Sequence, residues 1–209
     1  MKKYSIIKIS GVRSGDYVDI KTWDEVEKIK IDTFPWKKSV FFPETTARLF
    51  YSDDCFRIRF DVDDGHIRAV VTEPNGPVCQ DSCVEWFVNP CPEISDEYVN
   101  FEINPIGTLH AAIGKDRYER RFAEGDLRES IKIISRIDSP NWSVEYAVPF
   151  EFFCKLYGDI RFKLGHVMKA NFYKCGDLTR KPYWACWNPI GSEKPDFHLS
   201  KWFGELELI

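Results

Sequence analysis

Two glutamates, Glu85 and Glu102, with the amides and aromatics spaced around them, are the side chains of this sequence best suited to ligand chemistry. They fall in the stretch 79–107, CQDSCVEWFVNPCPEISDEYVNFEINPIG. Side chains alternate along a strand with period two, so Val84, Trp86 and Val88 share one face while Glu85 and Phe87 take the other. In the second half, Phe101 and Ile103 mark an apolar face, and Tyr98, Asn100, Glu102 and Asn104 form a polar row opposite it. Acid, amide and phenol groups in a row suit a ligand made of hydroxyls. The same row would also serve as the solvated side of a sheet.

A second cluster lies in 166–208, HVMKANFYKCGDLTRKPYWACWNPIGSEKPDFHLSKWFGELEL. Lys169, Asn171 and Tyr173 share one face of an expected strand, and Trp184, Trp187 and Asn188 follow in a proline-flanked segment. An indole offers a flat apolar plane and one donor, which fits the C–H face of a pyranose ring while amides and acids bind its hydroxyls. Both tryptophans also have a plain reading as core. Glu85 and Glu102 carry a catalytic alternative, since glycoside hydrolysis needs one protonated and one ionised carboxyl flanking the scissile bond. A separation of about 5–5.5 Å would mean retention and about 6.5–9.5 Å inversion.

The elements that must position these residues are strands. Strand patterns run through 4–9, 47–51, 55–62, 66–72, 108–113, 117–122, 130–137 and 142–149, and 150–157 is the best short helix, ended by Gly158. Residues 23–30 read as a short helical or irregular turn. The segment 32–43 mixes proline with Phe34, Trp36 and Phe41, a pattern of aromatic cover across a sheet. Regularly spaced short strands predict an all-β fold, a β-sandwich of the immunoglobulin or jelly-roll kind with one short helix. It spans 1–209 as a single domain, with 1–31 as an N-terminal extension packed on it.

With 209 residues, 44% hydrophobic content and a net charge of −4, the chain can bury a substantial core and carries no basic tract for neutralising phosphates. Nucleic acid is excluded as an expected partner, and so is a membrane, because no apolar run approaches the roughly 18 residues of a span. No signal-peptide pattern opens the sequence, so the expected location is cytoplasmic, or secreted if a leader precedes this sequence. Seven cysteines form an odd set without Cys-x-x-Cys spacing, which predicts reduced thiols and no zinc site. Asp61-Val-Asp-Asp-Gly65 offers oxygen ligands but lacks EF-hand spacing, and it reads as a polar turn. The four histidines show no ligand spacing.

Asp81-Ser-Cys-Val-Glu85, Tyr98-x-Asn-Phe-Glu-x-Asn104, Trp142-x-x-Glu-x-x-x-Pro149, Lys169-Ala-Asn-Phe-Tyr-Lys-Cys175 and Trp187-Asn-Pro, in this order, resemble the family 9 carbohydrate-binding modules, most closely the stand-alone branch. The resemblance runs from about residue 32 to the end of the sequence. It implies a β-sandwich that grips a sugar between aromatics, commonly alongside xylan-degrading glycoside hydrolases, with a structural calcium in some members. Glu85 matches the family's sugar-contacting acid, and Trp187 with Asn188 matches its C-terminal stacking segment. The family's first stacking tryptophan precedes the acidic motif, where this chain has Val78 and Cys79, so the second wall falls to Trp184 or Tyr173.

The expected function is therefore a non-catalytic module for an oligosaccharide or polysaccharide, with no catalytic residues, no metal ligands and no required cofactor. Its expected ligand contacts are Glu85, Asn100, Glu102, Asn104, Lys169, Asn171, Tyr173, Trp184, Trp187 and Asn188. The alternatives are a glycoside hydrolase using Glu85 and Glu102, and a protein-interaction domain with a flat aromatic patch.

Overall fold

The computed structural model describes residues 1–36 and 41–209, so part of the expected aromatic cover at 32–43 lies outside the described residues. In chain order the strands are β1 (Lys3–Ile6), β2 (Ile29–Lys30), β3 (Glu44–Tyr51), β4 (Cys55–Asp63), β5 (Cys83–Asn89), β6 (Tyr98–Ile103), β7 (Leu109–Gly114), β8 (Arg120–Phe122), β9 (Lys132–Asp138), β10 (Asn141–Pro149), β11 (Val167–Cys175), β12 (Trp184–Cys186) and β13 (Gly204–Leu208). Among the described residues they make two sheets. One runs β1-β13-β11-β5-β6-β7-β8 with β12 added on β11, and the other runs β2-β3-β4-β10-β9. This is the expected all-β sandwich.

Alternation fixes which side chains meet between the sheets. Trp86 pairs in register with Phe101 on β6 and Phe172 on β11, and its ring stacks on both at 5.5 and 6.4 Å. From the other sheet, Phe56 meets Trp86 edge-on at 6.0 Å, and Phe60 meets Phe172 at 6.3 Å. Offset and edge-on aromatic pairs of this kind each add about 0.5–1.5 kcal/mol beyond the area they bury. The expected helix forms at Phe150–Tyr157, with Gly158 at φ 86° just beyond it, and its Phe152 and Phe153 are buried in the same core. Two one-turn helices, Ile20–Asp24 and Asp126–Glu129, join it.

The pattern over 66–72 predicts a strand, but the segment is irregular. Three of its amides are satisfied by side chains instead of a ladder. The Val70 and Val71 amides donate to Asp81 Oδ2 at 2.9 and 2.8 Å, and the Arg68 amide donates to Ser82 Oγ at 3.1 Å. Alternation alone cannot tell these two solutions apart.

The aspartates of 61–65 diverge. Asp61 pairs with Arg48 and Arg59, each at 2.7 Å, while Asp64 is fully buried and accepts from Tyr183 Oη at 2.8 Å. Residues 1–31 place β1 parallel to β13 and β2 against β3, and they bury Trp23 against Phe50 at 5.0 Å. No helix among the described residues is long and apolar enough to cross a membrane.

Candidate functional site

The outer face of the larger sheet carries the polar row. The registers Tyr173↔Glu85, Glu85↔Glu102 and Glu102↔His110 set four polar side chains side by side across β11, β5, β6 and β7. The chain does not leave this face to solvent. Residues 187–203 fold back over it, and Ile190, Phe197 and Phe203 form a second, smaller core with Phe87, Tyr98 and Tyr173.

Between this cover and the sheet lies a cavity of about 260 Å³. Glu85, Glu102 and Cys175 line it from the sheet, and Cys79 from the loop before β5. Asp177 and Trp184 line it from the chain after β11, residues 195–198 from the cover, and Arg117 from the β7–β8 hairpin. Arg117 is tied to Asp196 at 3.0 Å, which joins the hairpin to the cover.

The electrostatics of the cavity are lopsided. Glu85 is only 2% exposed, and among the described residues its one hydrogen bond comes from the Cys175 thiol at 3.0 Å. Burial, and then the Glu102 carboxylate, hold the Glu85 carboxyl well above its usual range. Asp177 is also raised by burial, although it accepts from the Trp184 indole at 2.8 Å. Glu102 accepts from Asn100 Nδ2 at 2.7 Å, and Asn100 in turn accepts from Arg120. Among the described residues, none of Glu85, Glu102 and Asp177 forms an ion pair. Burial holds His198 down to about 3, so it is neutral, and its Nδ1 meets the Tyr98 hydroxyl at 2.8 Å.

Of the residues singled out from sequence, the cavity brings together Glu85, Glu102 and Trp184. Asn100 stands one shell behind, orienting Glu102. Tyr173 is fully buried, with its ring stacked on Phe197 at 4.1 Å, so it braces the cavity wall from behind.

The others go elsewhere. Asn104 donates to Asp81 Oδ2 at 3.0 Å and to the Val71 carbonyl. Lys169 pairs with Glu205 at 3.1 Å. Asn171 donates to the Asn188 carbonyl, and Asn188 to the Trp202 carbonyl, so both amides pin the start of the cover. Trp187 is a core residue, 6% exposed and set against Phe172 at 5.8 Å.

The sequence reading missed Asp177, Phe197, His198, Arg117, Cys79 and Cys175. For Arg117, Asp177, Phe197 and His198 the local signal was a run of polar and aromatic residues at loop positions, where binding groups concentrate; Cys175 ends β11 and Cys79 lies in a short 3-10 turn, and nothing local marked either.

A larger groove, about 410 Å³, lies on the outer face of the other sheet. Its Arg59 and Asp61 already pair with each other, and its one aromatic, Trp142, is 2% exposed. The smaller cavity is the one that sets buried acids beside a partly open ring.

A β-sandwich with a cavity on one outer sheet face, walled by carboxylates and an accessible indole, defines a carbohydrate-binding module. The model of carbohydrate-binding family 9 matches residues 18–208, and the chain belongs to that family. It is similar over its whole length to a Bacteroides uniformis protein proposed to bind carbohydrate, at 30% identity and TM-score 0.89, covering 99% of that chain. Two solved complexes described as a family 9 module from Caldicellulosiruptor kristjanssonii share the fold at 14% identity. One, with cellotriose, has TM-score 0.68 over 99% of this chain and 93% of its own. The other, with glucose, has 0.69 over 100% and 96%. No curated protein matches the chain.

Proposed function

We propose that the cavity takes the terminal ring of a gluco- or xylo-configured oligosaccharide, laid on Trp184 and held through its hydroxyls by Glu85, Glu102 and Asp177. The observation that carries this is the Trp184–Asp177 hydrogen bond, which fixes the indole in the cavity that Glu85 and Glu102 line without an ion pair among the described residues. A cavity of about 260 Å³ is smaller than the roughly 300–1,000 Å³ of pockets for drug-sized ligands, so it suits a chain end better than a long internal segment. The cellotriose and glucose complexes that share this fold favour the same sugar class. Each contact contributes on the order of 1 kcal/mol net, because the sugar sheds its own water on binding. Such a module would serve carbohydrate breakdown beside a glycoside hydrolase.

Glu85 and Glu102 rise side by side from one sheet face, where the Cβ atoms of such a pair stand about 4.5–5.5 Å apart, close to the separation of a retaining pair, so product analysis decides between binding and hydrolysis.

Titration calorimetry of the intact protein with glucose, cellotriose and xylotriose, with product analysis of the same samples, tests the reading. Binding that Trp184→Ala and Glu102→Gln both weaken, with the sugars left whole, is the expected result. Absence of binding to every sugar sinks it, and cleavage abolished by Glu85→Gln would make the protein an enzyme.

A further inference from the structure

Cys83 and Glu85 are neighbours on one face of β5, and Cys175 is the direct cross-strand partner of Cys83 on β11. Their two sulfurs and a Glu85 carboxylate oxygen all lie within 4.8 Å of one another, in full burial. The Cys175 thiol touches Glu85 Oε1 at 3.0 Å, while Cys83 meets the Cys175 thiol and the carbonyl of its own neighbour, Val84, at 3.6 Å. A thiol is a weak donor, so this is thin satisfaction for a buried acid.

The surroundings are short of positive charge. Glu102 and Asp177 share the cavity with Glu85, its Arg117 is committed to Asp196, and the buried Lys174 nearby is committed to Asp64 at 3.5 Å and Tyr183 at 2.5 Å.

We propose that Cys83, Glu85 and Cys175 form a three-ligand site for a thiophilic divalent cation of the zinc class, just beneath the cavity wall that Glu85 and Cys175 line, with its fourth position on the cavity side. Two thiolates and one carboxylate are a donor set that such an ion takes. Bonds of about 2.3 Å to sulfur and 2.0–2.2 Å to oxygen place tetrahedral ligand atoms roughly 3.5–3.8 Å apart, so the three groups need only small rotamer adjustments. Binding releases the two thiol protons to solvent and replaces the thiol–carboxylate hydrogen bond with two metal–ligand bonds, so affinity rises with pH. The inference does not rest on the sugar reading, but it shares Glu85 with it, so ion and sugar occupy overlapping space.

The test uses the intact, reduced protein titrated anaerobically with Co²⁺ and then Zn²⁺. One equivalent of Co²⁺ giving a thiolate-to-cobalt charge-transfer band that Zn²⁺ bleaches is expected. Cys83→Ser and Cys175→Ser should lower affinity by more than about 100-fold, while Cys154→Ser keeps it. Trp184→Ala removes the proposed sugar platform but no ligand atom, so it keeps the band, and the two readings fail on different variants. Should the cysteine variants misfold, alkylation of the wild-type protein decides. Labelled in moderate urea, where these buried thiols open, slower alkylation of Cys83 and Cys175 with Zn²⁺ than without it supports the site, and equal rates overturn it, as does a titration without a charge-transfer band.

Discussion

Glu85 and Glu102 stand directly opposite each other on adjacent antiparallel strands, and both line one cavity. Like charges in that arrangement repel, and burial amplifies the effect because the charged form is poorly solvated. Sugar hydroxyls or a cation would relieve that repulsion, which makes the pair a reason for the cavity to bind something.

The consequence for stability has a definite sign. Glu85 is held above its unfolded value of 4.5 in the native state. Its contribution is therefore fully present below pH 4.5 and is lost as pH rises through the folded value. Glu85→Gln should raise the melting temperature at pH 7, by about 2–4 °C if the gain is on the order of 1 kcal/mol, with the difference from wild type vanishing below pH 4.5. Melts of both proteins from pH 4 to 8 check this, and a variant that is less stable at pH 7 would contradict the assignment.

The neutral His198 imposes the opposite slope. Its value falls from 6.5 unfolded to about 3 folded, so its contribution is present above pH 6.5 and is lost as pH falls toward 3. His198→Gln, which keeps an acceptor for the Tyr98 hydroxyl, should flatten the acid limb of the stability curve between those values. Denaturant unfolding at pH 4, 5 and 7 measures it.

The two tryptophans three residues apart should part company. Trp184→Ala should weaken sugar binding by tenfold or more, about 1.4 kcal/mol, with a melting temperature close to wild type. Trp187→Ala should cost about 3–5 kcal/mol of stability, because its ring fills the space between Phe172 and Gly204, where even an added Cβ would lie 2.4 Å from it. A Trp187→Ala protein that melts normally yet loses sugar would reverse the assignments.

Buried Lys174 reports on pair energetics. Both Lys174 and Asp64 are 0% exposed, so Lys174→Met should cost about 3–5 kcal/mol by stranding the carboxylate, and the Lys174→Met, Asp64→Asn double variant should recover part of that. Urea unfolding of the single and double variants separates the terms, and an additive result would mean that the pair is uncoupled.

The period-two pattern of β5 and β6 was legible from sequence because alternation is a local property. It determined the sandwich, the inner faces carrying Trp86 and Phe101, and the outward placement of Glu85 and Glu102. The helix at Phe150–Tyr157 was legible for the same reason, since period and stop signal both lie within the segment. What alternation cannot encode is what covers a face. Asn171, Asn188 and Trp187 looked like binding groups because polar and indole side chains near a strand end have the same local signature whether they meet a ligand or the chain's own cover. Only the tertiary structure decided that 187–203 folds over the sheet, turning those residues to structural work and bringing Phe197 and His198 to the cavity. It also decided that Cys83 and Cys175 meet across two strands, because strand register joins residues that no sequence spacing connects.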